Sequence, residues 1–235
     1  MKESFFESVW RVFIENGGLK LMLRGVGNTV IIAVLAVLIG VVLGSVCAMI
    51  KVSDSKNPLM VVLKALVGVY ITVIRGTPLM VQLLFTYFGM FALVMRDNPN
   101  KALIIAIIVF GINSGAYVAE IIRSGILAVD VGQTEAGRSL GLSSRTTMLR
   151  IVLPQAIKNI IPALGNEFIM LIKDSSLASA ITVVEMTKRA QSLVAKFYLA
   201  LPIYLILALF YLVLTSLAAQ LMKVIEKRLR KSDNR

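Results

Sequence analysis

Apolar residues run along this chain in long windows, and charge is confined to the gaps between them. The charge-free windows are Gly25–Ile50, Gly76–Met95, Ala102–Ala119 and Phe197–Met222. Each approaches or exceeds the roughly 20 apolar residues that a membrane-crossing helix requires. The turn "RDNPNK", with Pro99 as its breaker, separates the second window from the third. A fifth segment, Pro154 to about Ile172, is interrupted by Lys158 and Glu167 but remains apolar over most of its helical surface, and it too reads as a crossing. The pattern predicts an all-α membrane protein with about five transmembrane helices, whose two ends lie on opposite sides.

Composition supports that reading. With 57% hydrophobic residues, 16% charged residues and a mean hydropathy of +0.84, the chain is too apolar for an ordinary soluble domain. Its net charge of +12 does not point to nucleic acid, because the basic residues sit between and beyond the apolar windows, where they meet anionic headgroups. Lys and Arg number fourteen in 51–64, 123–158 and after 222 together, against ten on the other side, with Arg75 at a boundary. The dense basic tail "KVIEKRLRKSDNR" sets the same orientation, N-terminus outside and C-terminus cytoplasmic.

Residues 1–24 carry charge too often for a signal-peptide core, with Glu3, Glu7, Arg11 and Glu15 in the way. Phe5, Phe6, Val9, Trp10 and Phe13 instead follow helical spacing. They predict an interfacial amphipathic segment lying in the headgroup plane or packed on a neighbouring subunit. The membrane domain then covers 25–224, and 225–235 form a basic cytoplasmic tail.

One polar stretch breaks the pattern near the middle, "EAGRSLGLSSRTTMLRIVLPQA" at 135–156. It reads as a helix over about Gln133 to Leu140, with Gly141 at the left-handed position that ends a helix. Ser143 or Ser144 then caps a second helix running toward Val152, and Pro154 fits the first turn of the following crossing. Such a helix–turn–helix projects from the membrane as a rigid knob.

This stretch resembles the EAA loop of ABC-importer permeases, whose pattern is Glu-Ala-Ala, three residues, Gly, about nine residues, then an apolar residue, any residue, Leu-Pro. Glu135, Ala136, Gly141, Leu153 and Pro154 hold the spacing, and Gly137 replaces the second alanine. "VIRGTPLMVQLLF" (73–85) and "GAYVAEIIRSGI" (115–126) are similar to the polar amino-acid branch of that family. The resemblance implies a type I ABC importer permease fold in the bacterial plasma (inner) membrane. It also implies a second permease chain in a homo- or heterodimer, two ATPase subunits that bind ATP and Mg, and an external binding protein that delivers a polar amino acid. No cofactor or metal is expected in this chain. The family's coupling helix docks on the ATPase, which assigns ATPase coupling to the loop at about 130–152 and to Glu135, Ala136, Gly137, Arg138 and Gly141. Glu135 and Arg138 are three apart and share a helix face.

Other polar groups bear on the path. Asn113, Tyr117 and Glu120 fall at i, i+4 and i+7 on one helix face, with Glu120 also three residues before Arg123 as an ion pair. Glu167 lies roughly 20 Å along its helix from Pro154, slightly past mid-depth, where a carboxylate costs about 3 kcal/mol and normally faces a wet interior. The substrate-path candidates are therefore Glu167, Asn113 and Tyr117. Arg75 and Pro78 of "RGTP", together with Lys173 and Asp174 of "LIKDSSLASAI", are candidates for gating or anchoring. Pro78 belongs in the first turn of its crossing, with Arg75 at the inner headgroup level.

The chain has no histidine, one cysteine and no GxxxxGK[ST] loop. These absences exclude HExxH zinc chemistry, Ser-His or Cys-His catalysis, and ATP binding by that loop. A permease subunit rather than an enzyme is expected. A secondary transporter or channel explains intramembrane polar groups equally well but leaves the EAA-type loop without a purpose.

Overall fold

The computed structural model describes residues 4–53, 55–91 and 98–230, and among them the regular elements are all helical. The order is α1 (Phe5–Trp10, continuing as a π turn Arg11–Glu15), α2 (Gly18–Val52), α3 (Pro58–Gly76), α4 (Leu79–Leu84, continuing as a π turn Phe85–Met90) and α5 (Lys101–Leu127). There follow α6 (Val131–Ser139), α7 (Ser144–Thr147, then a π turn Met148–Val152), α8 (Leu153–Asp174), a 3-10 stretch Ser175–Ile181, α9 (Met186–Phe197) and α10 (Ala200–Arg230). Of the expected features, Glu3, the end of the second window at 92–95, the first two residues of the "RDNPNK" turn and the last five of the tail lie outside the described residues.

Among the described residues, α2, α3, α5 and α10 are long and apolar enough to cross a membrane. The second crossing differs from expectation. The second helix long and apolar enough to cross is Pro58–Gly76, whereas the described part of Gly76–Met95 holds the short apolar helix Leu79–Met90, roughly 18 Å long against about 30 Å of hydrocarbon. Lys64 interrupts the apolar run of Pro58–Gly76, so no charge-free window covers that helix. Its ammonium folds back and donates to the Ser53 carbonyl near the start of the helix, so the aliphatic stem lies along the apolar surface. Asn57 and Pro58 supply the start signal: the Asn57 side chain accepts from the Leu59 amide at 3.0 Å and Pro58 occupies the first turn. Thr77, extended before Pro78, ends the helix. Pro78 therefore caps the short α4 rather than opening a spanning helix, and Arg75 closes α3. The fifth segment is a continuous helix, α8, but with Lys158, Glu167, Lys173 and Asp174 it does not meet the apolar standard of the other four.

By its internal contacts the chain forms two compact units. One comprises Met1–Ala36, Pro78–Gly111 and Ile169–Ala218; the other comprises Val37–Thr77, Ile112–Phe168 and Ala219–Arg235. The first is built on Val12, Phe13, Met22, Met186, Ala190, Leu193, Ile203 and Leu207. The inward face of the N-terminal helix is Ser8, Val12 and Phe13, while Phe6 and Trp10 point outward. The expected stripe Phe5–Phe6–Val9–Trp10–Phe13 is thus split: Phe6 and Trp10, four apart, share the outward side of the helix, and Ser8 stands on the inward side with Val12.

In the second unit, α2 meets α5 through small residues. A Cβ on Gly40 would stand 2.6 Å from the Ser114 hydroxyl oxygen, and one on Gly44 2.6 Å from Val118 Cβ. "GVVLG" is a small-xxx-small pattern that lets two backbones approach where no water drives association. Gly115 makes the same concession to Tyr70, whose hydroxyl donates to the Ile112 carbonyl at 2.5 Å. Gly44→Leu is expected to destabilise the folded chain by about 1–3 kcal/mol through overpacking, with partial recovery in Gly44→Leu/Val118→Ala. Thermal unfolding in detergent checks this, and an unchanged midpoint in the single variant would refute the close contact.

Candidate functional site

The EAA-type loop is locked by its own backbone. Asp130 caps α6 by accepting from the Gly132 amide at 2.6 Å. At the other end, the Leu142 amide bonds the Gly137 carbonyl at 3.2 Å and the Gly141 amide bonds the Arg138 carbonyl at 3.0 Å, with Gly141 at φ 81°. This is the paired Schellman arrangement, and it needs the left-handed conformation that glycine adopts without strain. Arg138 reinforces the turn by donating to the Leu142 carbonyl at 2.6 Å. Ser143 then caps α7, accepting from the Thr146 amide at 3.2 Å.

Within α6 only Gly137 is buried. A Cβ there would lie 2.8 Å from Thr147 Cγ2 and 2.9 Å from Ile151 Cδ1, which gives the glycine in place of alanine a packing reason. Glu135 and Ala136 are exposed, and Leu140 stands 81% exposed, so the helix presents an acid and an apolar side chain outward. The second helix does not end at Val152 as a separate knob. It passes through the π turn 148–152 straight into α8, because Pro154 has no N–H and the Leu153 amide reaches back to the Met148 carbonyl.

The path candidates are distributed as follows. Asn113 on α5 is 8% exposed, and both Asn113 and Glu167 are engaged with neighbouring groups. Glu167 is half-buried, well along α8. Tyr117, on the Asn113 face, lies under the guanidinium of Arg75, 4.9 Å from its ring centroid. A substrate-path candidate and an anchor candidate thus come together. Glu120 accepts from Arg123 Nε at 2.9 Å and from a second guanidinium nitrogen, the pair expected from their spacing. Lys173 is exposed and Asp174 half-buried where α8 gives way to the 3-10 stretch, a break in helix type at the expected place. That stretch ends at Thr182, whose φ of 68° is unusual for a β-branched residue.

A group that the sequence reading passed over lies just beyond. Glu185 is fully buried and caps α9, accepting from the Thr187 and Lys188 amides at 2.7 Å each and from the Tyr211 hydroxyl at 3.0 Å. Burial pushes its carboxyl above the usual carboxylate range, and the backbone hydrogen bonds and then the Tyr211 and Thr187 hydroxyls oppose that rise. Asn28 donates to the Val184 carbonyl at 2.9 Å, and Gly25 lets α2 touch the Met186 backbone. These contacts fasten the segment after α8 to α2 and α10. The available signal was the acid of "TVVEMTKRAQ" standing at the head of an amphipathic run, a place where acids cap.

Residues 40–231 match the family described as binding-protein-dependent transport system inner membrane component. The chain is 38% identical over 208 residues to the L-cystine transport system permease protein TcyB of Bacillus subtilis (strain 168), covering 87% of this chain and 85% of that one. It is 40% identical over 162 residues to the glutamine transport system permease protein GlnP of Escherichia coli (strain K12), covering 69% and 74%. It also superposes on a chain from the crystal structure of an amino acid ABC transporter with histidines, with a TM-score of 0.83, 39% identity, and coverage of 97% of this chain and all of that one. The chain belongs to the binding-protein-dependent transport system inner membrane component family, as the EAA-type loop implied.

Removing the Glu185 carboxylate leaves buried donors without an acceptor. Glu185→Ala is expected to lower stability by about 2–5 kcal/mol, and Tyr211→Phe, which removes one donor, by about 1 kcal/mol. Denaturation of the detergent-solubilised chain measures both; equal losses for the two would contradict the capping geometry.

Proposed function

We propose that this chain is the membrane-spanning subunit of an ATP-driven importer, forming the translocation path for a polar or basic amino acid delivered by an external binding protein. The observation that carries the reading is the locked EAA-type loop, polar and outward-facing, in a chain of a binding-protein-dependent family. A loop held by a Schellman turn, an arginine clamp and a buried glycine moves as one piece, which suits a segment pushed by another subunit. The partners are two ATPase subunits carrying ATP and Mg, and a second permease chain. ATP hydrolysis belongs to those subunits. A secondary transporter is disfavoured because it gives this loop nothing to receive.

In this reading α2, α3, α5, α8 and α10 cross the membrane, with the N-terminus outside and the basic C-terminal end in the cytoplasm. The loop then faces the cytoplasm, and Glu135, Ala136, Gly137, Arg138 and Gly141 serve the ATPase contact. Glu167 faces the path and meets an ammonium group of the amino acid, with Asn113 and Tyr117 on the facing helix. Cystine and glutamine, named for two relatives, share polar side chains and the zwitterionic backbone that such a site addresses. Lys173 and Asp174 begin the segment that closes the path.

The test is ATPase activity and uptake by the reconstituted complex, with its binding protein, against cystine, glutamine, histidine, arginine and lysine. Stimulation by at least one of them is expected, and uptake independent of ATP would overturn the proposal. Gly141→Val forces a β-branched residue into a left-handed conformation, at a cost of about 1–3 kcal/mol. It should leave basal hydrolysis in place and abolish stimulation by the loaded binding protein; normal coupling would remove the turn from the mechanism. Glu167→Gln keeps shape and removes charge, so it should reduce uptake at least tenfold or shift selectivity in a complex that still assembles. Native rates for every amino acid would return Glu167 to a structural role.

A further inference from the structure

Arg75 closes α3, is exposed, and makes no ion pair among the described residues. Its guanidinium lies over the Tyr117 ring, an interaction that balances part of a positive charge without using an N–H donor. Among the described residues no hydrogen bond or ion pair occupies its fork, which matches a planar anion. Glu120, whose charge interacts with Arg75 and with Lys51, has both of its oxygens committed to Arg123. Glu120 is thus committed to Arg123. Arg75 lies over the face of α5 that carries Asn113 and Tyr117, in the same compact unit as Glu167.

We propose that Arg75, steadied by Tyr117, receives the α-carboxylate of the amino acid in transit. This rests on the reading of the path given above and completes it: Glu167 takes the ammonium end of the zwitterion and Arg75 the acidic end. Arginine suits that task better than lysine because its fork matches both oxygens of a carboxylate. A headgroup anchor, the role expected from position alone, would use the same charge on a lipid phosphate and would be indifferent to the substrate's carboxyl group.

The purified permease–ATPase complex, without the binding protein, separates these roles. Binding of radiolabelled L-glutamine and L-arginine is measured in competition with their carboxamides, which lack the carboxylate, and their N-acetyl derivatives, which lack the ammonium. The native complex is expected to prefer free acid over amide at least tenfold. Arg75→Gln should collapse that preference to within twofold while leaving discrimination against the N-acetyl form intact. Arg75→Lys should weaken the acid preference, and Tyr117→Leu should weaken it while discrimination against the N-acetyl form persists. Assembly is verified by elution of the complex and by basal ATPase activity. If Arg75→Gln does not assemble, Arg75→Lys decides alone. Retention of the native acid-to-amide ratio in the deciding variant overturns the proposal, as does absence of that preference in the native complex. Persistence of N-acetyl discrimination in Glu167→Gln would instead overturn the Glu167 assignment and leave Arg75 standing.

Discussion

Inside hydrocarbon, a backbone N–H or C=O without a partner costs several kcal/mol, and no water is present to supply one. The interruptions in this chain are each arranged around that constraint. Where Pro78 breaks the helix, the Thr77 hydroxyl donates to the Val73 carbonyl at 2.8 Å. Where Pro154 withholds an N–H, the preceding turn widens to π geometry and the Leu153 amide reaches Met148. After α8, the Ser175 hydroxyl returns to the Ile172 carbonyl at 2.8 Å. The residues proposed for coupling and gating stand at these interruptions, where the backbone and its neighbouring polar side chains do something other than continue a helix.

Between the interruptions, two different devices hold helices together. In one unit it is absence: Gly40, Gly44 and Gly115 have no side chain to keep α2, α3 and α5 apart. Dispersion then acts over short backbone separations, which is what remains when the solvent is as apolar as the protein. In the other it is a buried acid: Glu185 gathers two amides and a tyrosine hydroxyl at the start of α9. A polar knot of this kind is specific in geometry, since every donor must find its acceptor. The cation over Tyr117 belongs to a third category, in which a charge is steadied but not neutralised.

Much of the loop's geometry was legible because its residues are local. Gly141, Ser143 and Pro154 state where helices end and begin, and hydrogen bonds three or four residues long read directly from such spacing. The Glu120–Arg123 pair was legible for the same reason. The second crossing was misplaced because a single Lys64 was weighed as a loop residue, and its stem and the Ser53 carbonyl offered an escape that charge counting ignores. The apolar stripe of the N-terminal helix splits because Phe6 and Trp10 share one side of it while Ser8, a polar residue, completes the buried side with Val12.

The sequence by itself determined the apolar solvent, the all-helical class and the EAA-type loop signature, since hydropathy and short-range capping motifs act within a few residues of one another. Tertiary structure alone decided which residues are adjacent across helices. It brought Arg75 over Tyr117, 42 positions away, pressed Gly40 and Gly44 against Ser114 and Val118, and seated Glu185 beneath Tyr211. Periodicity names the face a residue occupies on its own helix, but the partner of that face depends on how helices pack, and packing is set by shape over distances that no local pattern encodes.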